Sequence, residues 1–196
     1  MAELGKLEYY LLAINVIGAL VYLINMLLYR HTARGQIDVV VTIVSLLGGS
    51  AGMLLMILLF DRKAEKENMM SRVFIICVFV IQVIVLLIFK GHHAEHFTFA
   101  FWKFFAEHRI LLVYLGIMSF VTFIAFAIDK ANAKAHRSRI RIVTLLGLSF
   151  AGGSVGGLIS MYLFRHKTQK DYFTVGMPLI IVMQVVVLFY AMNAGW

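Results

Sequence analysis

The chain has 196 residues, a mean hydropathy of +0.90 and a formal charge of +8, with 62% of its residues hydrophobic and only 14% charged. A soluble domain is about 45–50% apolar and about 25% charged, so this composition excludes a soluble fold and describes a chain dissolved in a bilayer. A helical span takes about 20 residues, which limits this length to six or seven spans with short connections.

Six apolar runs follow in order: Tyr10 to Tyr29, Asp38 to Phe60, Val73 to Phe89, Ile110 to Ile128, Ile142 to Phe164 and Tyr172 to Met192. They are too continuous for the alternating strands of an outer-membrane barrel, and backbone in hydrocarbon must satisfy its own hydrogen bonds, so each is expected to be a helix. The fold class is therefore an all-α integral membrane protein with six transmembrane helices. The first run is longer than a signal-peptide core and lacks a small-residue cleavage site behind it, so it is expected to stay in the protein. The third run contains the single cysteine, Cys77. One cysteine excludes an intrachain disulfide and paired-cysteine metal or redox chemistry, and reads as a small apolar core residue.

Between the third and fourth runs, Gly91 to His108 interleaves Phe97, Phe99, Phe101, Trp102, Phe104 and Phe105 with histidines and Lys103. Aromatic rings favour headgroup depth, so this stretch reads as an interfacial linker. His92, His93, Glu95 and His96 lack the spacing of a known zinc motif and read as a solvated loop, so no metal or other cofactor is expected.

The charges fall between the runs, which makes the net +8 a tally of basic loops and not a nucleic-acid surface. Six crossings with the N-terminus in the cytoplasm put ten of the eighteen Lys and Arg residues inside and eight outside, a lean toward cytoplasmic termini under the positive-inside rule.

The second half repeats the first. At an offset of 104 residues, Leu47-Gly48-Gly49-Ser50-Ala51-Gly52 aligns with Ala151-Gly152-Gly153-Ser154-Val155-Gly156, and fourteen of the 57 positions from Tyr10 to Lys66 are identical. A two-residue adjustment pairs Gln82 with Gln184. The organisation expected is residues 1–90 as one three-helix repeat, 91–109 as linker and 110–196 as the second repeat. Three crossings per copy would insert the copies in opposite senses, the inverted-repeat arrangement of many transporters, whose sites lie at mid-membrane on the repeat interface.

Two groups of residues are candidates for function. Gly48, Gly49, Ser50, Gly152, Gly153 and Ser154 fall at the centres of the second and fifth runs, and Gln82 and Gln184 near the centres of the third and sixth. Glycine pairs there loosen a helix and free carbonyls for a solute or ion, or let two helices pack closely; the amides bind cargo or join helices. On the first alternative, alanine at Gly153 is expected to leave the fold near normal while impairing flux. The second group is Asp129, Lys130, Arg139, Arg165, His166, Lys167 and Lys170, charges at the span ends that would contact anions or lipid phosphates, or anchor helices by snorkelling. No ionisable side chain lies deep in a run, which argues against a proton-coupled pump. No nucleophile elbow, phosphate loop or dinucleotide fingerprint is present, so no catalytic residue is assigned and an enzyme of a familiar soluble class is not expected.

The motifs of the second half, Asp129-Lys130, Arg139-Ile140, Gly152-Gly153 with Gly156, and His166-Lys167-Thr168 with Lys170 and Phe173, resemble those of the bacterial membrane proteins grouped as domain of unknown function 1294. The likeness covers about residues 111 to 190, and the first half looks like a degenerate copy. Arg141 and Ile142 stand where the family has Pro and Glu. The resemblance implies a bacterial inner-membrane location and supplies no activity. The function expected is a channel or transporter for a small solute or ion, with membrane lipids as neighbours. The alternatives are a structural or regulatory membrane protein and a membrane enzyme acting on lipid headgroups.

Overall fold

The computed structural model describes residues 5–31, 38–92 and 97–194, so His93, Glu95 and His96 of the loop lie outside the described residues. Among those described there is no strand, and six helical segments are long and apolar enough to cross a membrane. The chain divides into two compact units, Met1–Val85 and Leu86–Trp196.

In the first unit α1 (Lys6–His31) is followed by α2 (Asp38–Val44), a wide π-type turn (Ser45–Gly49), α3 (Ser50–Phe60) and α4 (Met69–Phe89), whose last turn passes into the second unit. The second unit adds a short helix, α5 (Phe101–Glu107), then α6 (Arg109–Lys134), α7 (Ile142–Leu148), a π-type turn (Ser149–Gly153), α8 (Ser154–Leu163), α9 (Asp171–Thr174) and α10 (Gly176–Asn193). The break before α10 follows from Pro178, which has no N–H to give the carbonyl of Thr174 four residues back. Helix α6 runs past Ile128, because Ala131, Ala133 and Lys134 are good helix formers. Asp129 therefore sits inside a helix and is fully buried, not at a solvated helix end.

The second and fifth apolar segments have the length of a span but do not run straight. The Oγ of Ser71 donates to Asp38 Oδ1 at 3.3 Å, and the neighbouring Arg72 pairs with Asp61 Oδ2 at 3.3 Å, so both ends of Asp38–Phe60 reach the start of α4. A straight helix of that length would hold its ends about 35 Å apart. In the second unit Asp129 accepts the Ile140 N–H at 2.9 Å on one oxygen and meets His166 Nε2 at 2.8 Å on the other, which brings together the two ends of Ile142–Leu163. Each segment is thus a helical hairpin. Its reversal is built on a left-handed glycine, Gly48 at φ +117° and Gly152 at φ +111°, the conformation that terminates a helix and that other residues adopt only under strain.

The outgoing arm runs alongside the first helix in the same direction. Tyr114 with Ala151, Phe123 with Ser160 and Asp129 with His166 are hydrogen-bonded at a constant separation of 37 residues, as are Tyr10 with Leu47 and Asn15 with Gly52 in the first unit. Parallel arms at this range need small residues between them. A β-carbon on Gly52 would lie 1.9 Å from the Asn15 carbonyl oxygen, and one on Gly156 would lie 1.8 Å from that of Ser119. Tyr22, Val41, Met53, Ile57 and Ile75 form the first unit's core, while Phe126, Leu145, Met161, Phe173 and Ile180 are buried in the second. The aromatic linker is tied to the end of α10: Asn193 Oδ1 accepts the Thr98 N–H at 2.6 Å, and Phe97 and Phe99 pack on Phe189 with ring centroids 5.9 and 5.2 Å away.

Candidate functional site

The two hairpin tips gather the central candidates. A helix that stops at a glycine leaves its last carbonyls without N–H partners, and in hydrocarbon those carbonyls must be met from elsewhere. In the first unit Gln82 Nε2 donates to the carbonyls of Ser45 and Leu46 at 2.7 and 3.1 Å, and the Tyr10 hydroxyl donates to that of Leu47 at 2.7 Å. The amide oxygen of Gln82 accepts in turn from Ser50 Oγ. The same set recurs in the second unit: Gln184 Nε2 donates to Ser149 and Phe150 at 2.8 and 3.2 Å, Tyr114 to Ala151 at 2.7 Å, and Ser154 Oγ to Gln184 Oε1. Gly48, Gly49, Ser50 and Gln82 are therefore brought together, and so are Gly152, Gly153, Ser154 and Gln184. The freed carbonyls exist, but side chains already occupy them.

Tyr10 and Tyr114 complete these caps; the 104-residue offset aligns them, but they are not among the candidate site residues of the sequence. The tips also differ. Asn15 Oδ1 accepts the Gly52 N–H at 2.7 Å, where the second unit has Ser119. The hydroxyl of Ser45 is fully buried and has no partner among the described residues, whereas that of Ser149 donates to Leu145 O at 2.9 Å. Beside the second tip lies a cleft of about 350 Å³, bordered by Ser119, Gly152 and Gln184 and by apolar Leu115, Phe150 and Leu188. Alanine at Gly153 is not the mild change expected. Its β-carbon would fall 1.8 Å from Thr122 Oγ1 and 2.7 Å from the Met118 carbonyl oxygen.

The charged candidates divide. Asp129 is held by His166 and by Lys167, whose Nζ lies 2.8 Å from Oδ2 and 4.9 Å from the centre of the Phe173 ring. To reach inward together, the segment adopts left-handed backbone at two non-glycine residues, Arg165 (φ +47°) and Lys167 (φ +63°), a strain paid for by the ion pairs. Burial lowers the Lys167 ammonium below its ordinary pKa, against the opposing pull of Asp129. Arg139, Arg165 and Lys170 remain exposed and Lys130 is half-buried, with no ion pair to Asp129.

The first unit has its own buried carboxylate, Asp61, directly after the last residue of the second apolar run. Asp61 Oδ2 accepts from the Tyr22 hydroxyl at 2.7 Å, Asn68 Nδ2 reaches both oxygens at 3.0 and 3.2 Å, and Arg72 and Arg30 approach at 3.3 and 3.6 Å. Asn68 and Arg72 also bond the Lys63 carbonyl, and Arg72 that of Asp61, which fixes the loop. Burial alone would raise the Asp61 carboxyl. The Tyr22 hydroxyl and Arg72 oppose it, and the group is held below the ordinary carboxylate range. Among the described residues no cluster of His, Cys, Asp and Glu could hold a metal ion.

A family model described as "Protein of unknown function (DUF1294)" matches residues 119–173, a stretch that contains the second hairpin and the whole Asp129 cluster through Phe173. The "Uncharacterized protein YsdA" of Bacillus subtilis (strain 168) is 32% identical over 79 residues, which cover 40% of this chain and 89% of that protein. No solved structure matches.

Proposed function

Because this chain belongs to the DUF1294 family of proteins of unknown function, whose description names no chemistry, we propose its activity from the geometry: a multi-pass membrane channel or transporter for a small solute or ion, built from two copies of a helix–hairpin–helix unit. The observation that carries this reading is the return of each glycine-kinked segment to the end from which it started. Arms of ten and eleven residues reach about 15 Å, half of a hydrocarbon core of about 30 Å, so the tips belong at mid-membrane. Irregular backbone at that depth is tolerated only inside protein or against a water-filled cavity, and broken helices meeting there are the usual frame of a transport site. The buried hydroxyl of Ser45, which has no partner among the described residues, and the cleft beside Gly152 and Gln184 support a cargo position at the tips.

The hairpins also change the sense of the duplication. With a hairpin that does not cross, each copy crosses twice, so the two copies enter in the same sense and are parallel, not inverted, repeats. Among the described basic residues only Lys6, Lys90, Lys103 and Arg109 then fall on the side of the termini, and the other thirteen of seventeen fall on the side of the hairpin mouths. The positive-inside rule makes that face cytoplasmic and the termini external, reversing the lean drawn from six crossings.

The complete capping of the tip carbonyls favours a second reading, a closed structural protein that passes nothing. Flux decides between them. The purified chain in phosphatidylcholine vesicles is expected to speed the osmotic response to one of a panel of glycerol, urea, sodium chloride and potassium chloride. Gln82→Leu and Gln184→Leu, which empty the tip carbonyls, are expected to change that rate. Rates equal to empty vesicles across the panel, from protein that unfolds cooperatively on heating, would exclude transport of these solutes and leave the closed reading.

A further inference from the structure

The two units place their buried carboxylate on opposite partners, and this leaves the first with a surplus of cations in a cleft. In the second unit His166 and Lys167 turn inward to Asp129 on α6. At the same offset the first unit has Arg62 and Lys63, but the residue on α1 is neutral Asn25. Its acid is Asp61 in the loop itself, already engaged by Tyr22, Asn68 and Arg72. Arg62 and Lys63 consequently stay exposed. They border a cleft of about 430 Å³ together with Arg30, Asp61 and Glu65, a volume in the usual small-molecule range of about 300–1,000 Å³.

Arg30 points to what the cleft takes. Its side chain is 45% exposed, and the contacts to Asp61 and the Phe60 carbonyl use Nη2 alone, out of the five N–H donors of a guanidinium. Three cations face Glu65 and a carboxylate whose acceptors are filled, which suits a phosphate bearing a negative charge. The same cleft is lined by Leu59 and Phe60, both more than half exposed, at the end of an arm that presents Leu55 and Leu58 outward. An anion whose charge is followed directly by hydrocarbon matches that sequence of surfaces.

We propose that the cleft of Arg30, Arg62 and Lys63 is a binding site for the phosphate of an anionic membrane lipid, with the acyl chain lying along α3. The inference rests on the first unit alone and is independent of whether the protein transports anything. Its test is thermal unfolding of the full chain in neutral detergent, with added phosphatidylglycerol, phosphatidylcholine or inorganic phosphate. Phosphatidylglycerol is expected to raise the unfolding temperature and phosphatidylcholine to leave it unchanged. The double variant Arg62→Gln, Lys63→Gln alters two exposed side chains, so it should fold and lose the shift. The double variant Lys134→Gln, Arg137→Gln removes the same charge from the second unit and should keep it. An equal shift from inorganic phosphate, lost in the first double variant, supports the anion site and overturns the lipid as its source. No shift with phosphatidylglycerol, or equal loss in both double variants, overturns the site.

Discussion

At the scale of single residues, the two units meet one requirement with different chemistry. Each anchors the outgoing arm of its hairpin to the first helix through a buried carboxylate, Asp61 from the loop in one and Asp129 from the helix in the other. Unpairing such a group costs about 3 kcal/mol, since the charges left behind have been taken out of water. Asp61 also fixes a pH dependence. Its carboxyl is held below the ordinary value of about 3.9 when folded, so the unfolded chain binds the proton more readily. The stability it contributes is complete above that ordinary value and is lost as pH falls through the folded pKa. Thermal unfolding in detergent should therefore show Asp61→Asn less stable than the parent at neutral pH, with the difference shrinking in acid. A difference that stays constant below about pH 4 would mean that Asp61 is not held ionised.

At the scale of elements, the glycine hairpins explain what could and could not be read in advance. The sequence displays Gly48-Gly49-Ser50 and Gly152-Gly153-Ser154 at segment centres and pairs Gln82 with Gln184, and these residues do meet. Hydropathy gives no sign that the segments turn back, because both arms of a buried hairpin are as apolar as one straight span and the same 22 or 23 residues serve either. The deciding bonds, from Ser71 to Asp38 and from Ile140 and His166 to Asp129, join residues 33, 11 and 37 apart and follow no helical or strand period. Glycine itself was ambiguous between loosening a helix and admitting a neighbour, and it does both, at different positions. Gly152 supplies the left-handed turn, whereas Gly156 supplies space. Two alanine variants separate space from mere composition. Gly156→Ala must push α8 off α6 and should cost about 3 kcal/mol in reversible unfolding. Gly147→Ala, whose β-carbon meets nothing within 4 Å, should be neutral or gain up to about 1 kcal/mol from helix propensity. Similar losses at both sites would contradict the close approach of α6 and α8.

At the scale of the whole molecule, the proposed crossing count decides on which side of the membrane each loop lies. Six straight spans divide the basic residues almost evenly, a distribution with little power to orient a chain. On the proposed topology of four crossings with two re-entrant hairpins, the basic residues would collect on the face of the hairpin mouths. The two arrangements part at Lys63 and Lys167: inverted three-span repeats put these residues on opposite sides of the membrane, whereas parallel two-span repeats put both on the side opposite Lys103. Cysteine replacements at the three positions, treated in intact cells and in inverted vesicles with a thiol reagent that does not cross membranes, distinguish them directly. The native Cys77 is fully buried, so the parent chain should react little and supplies the background. Lys63→Cys and Lys167→Cys should label only in inverted vesicles and Lys103→Cys only in intact cells. Labelling of positions 63 and 167 from opposite sides would restore the inverted repeat and require each hairpin to open into a span.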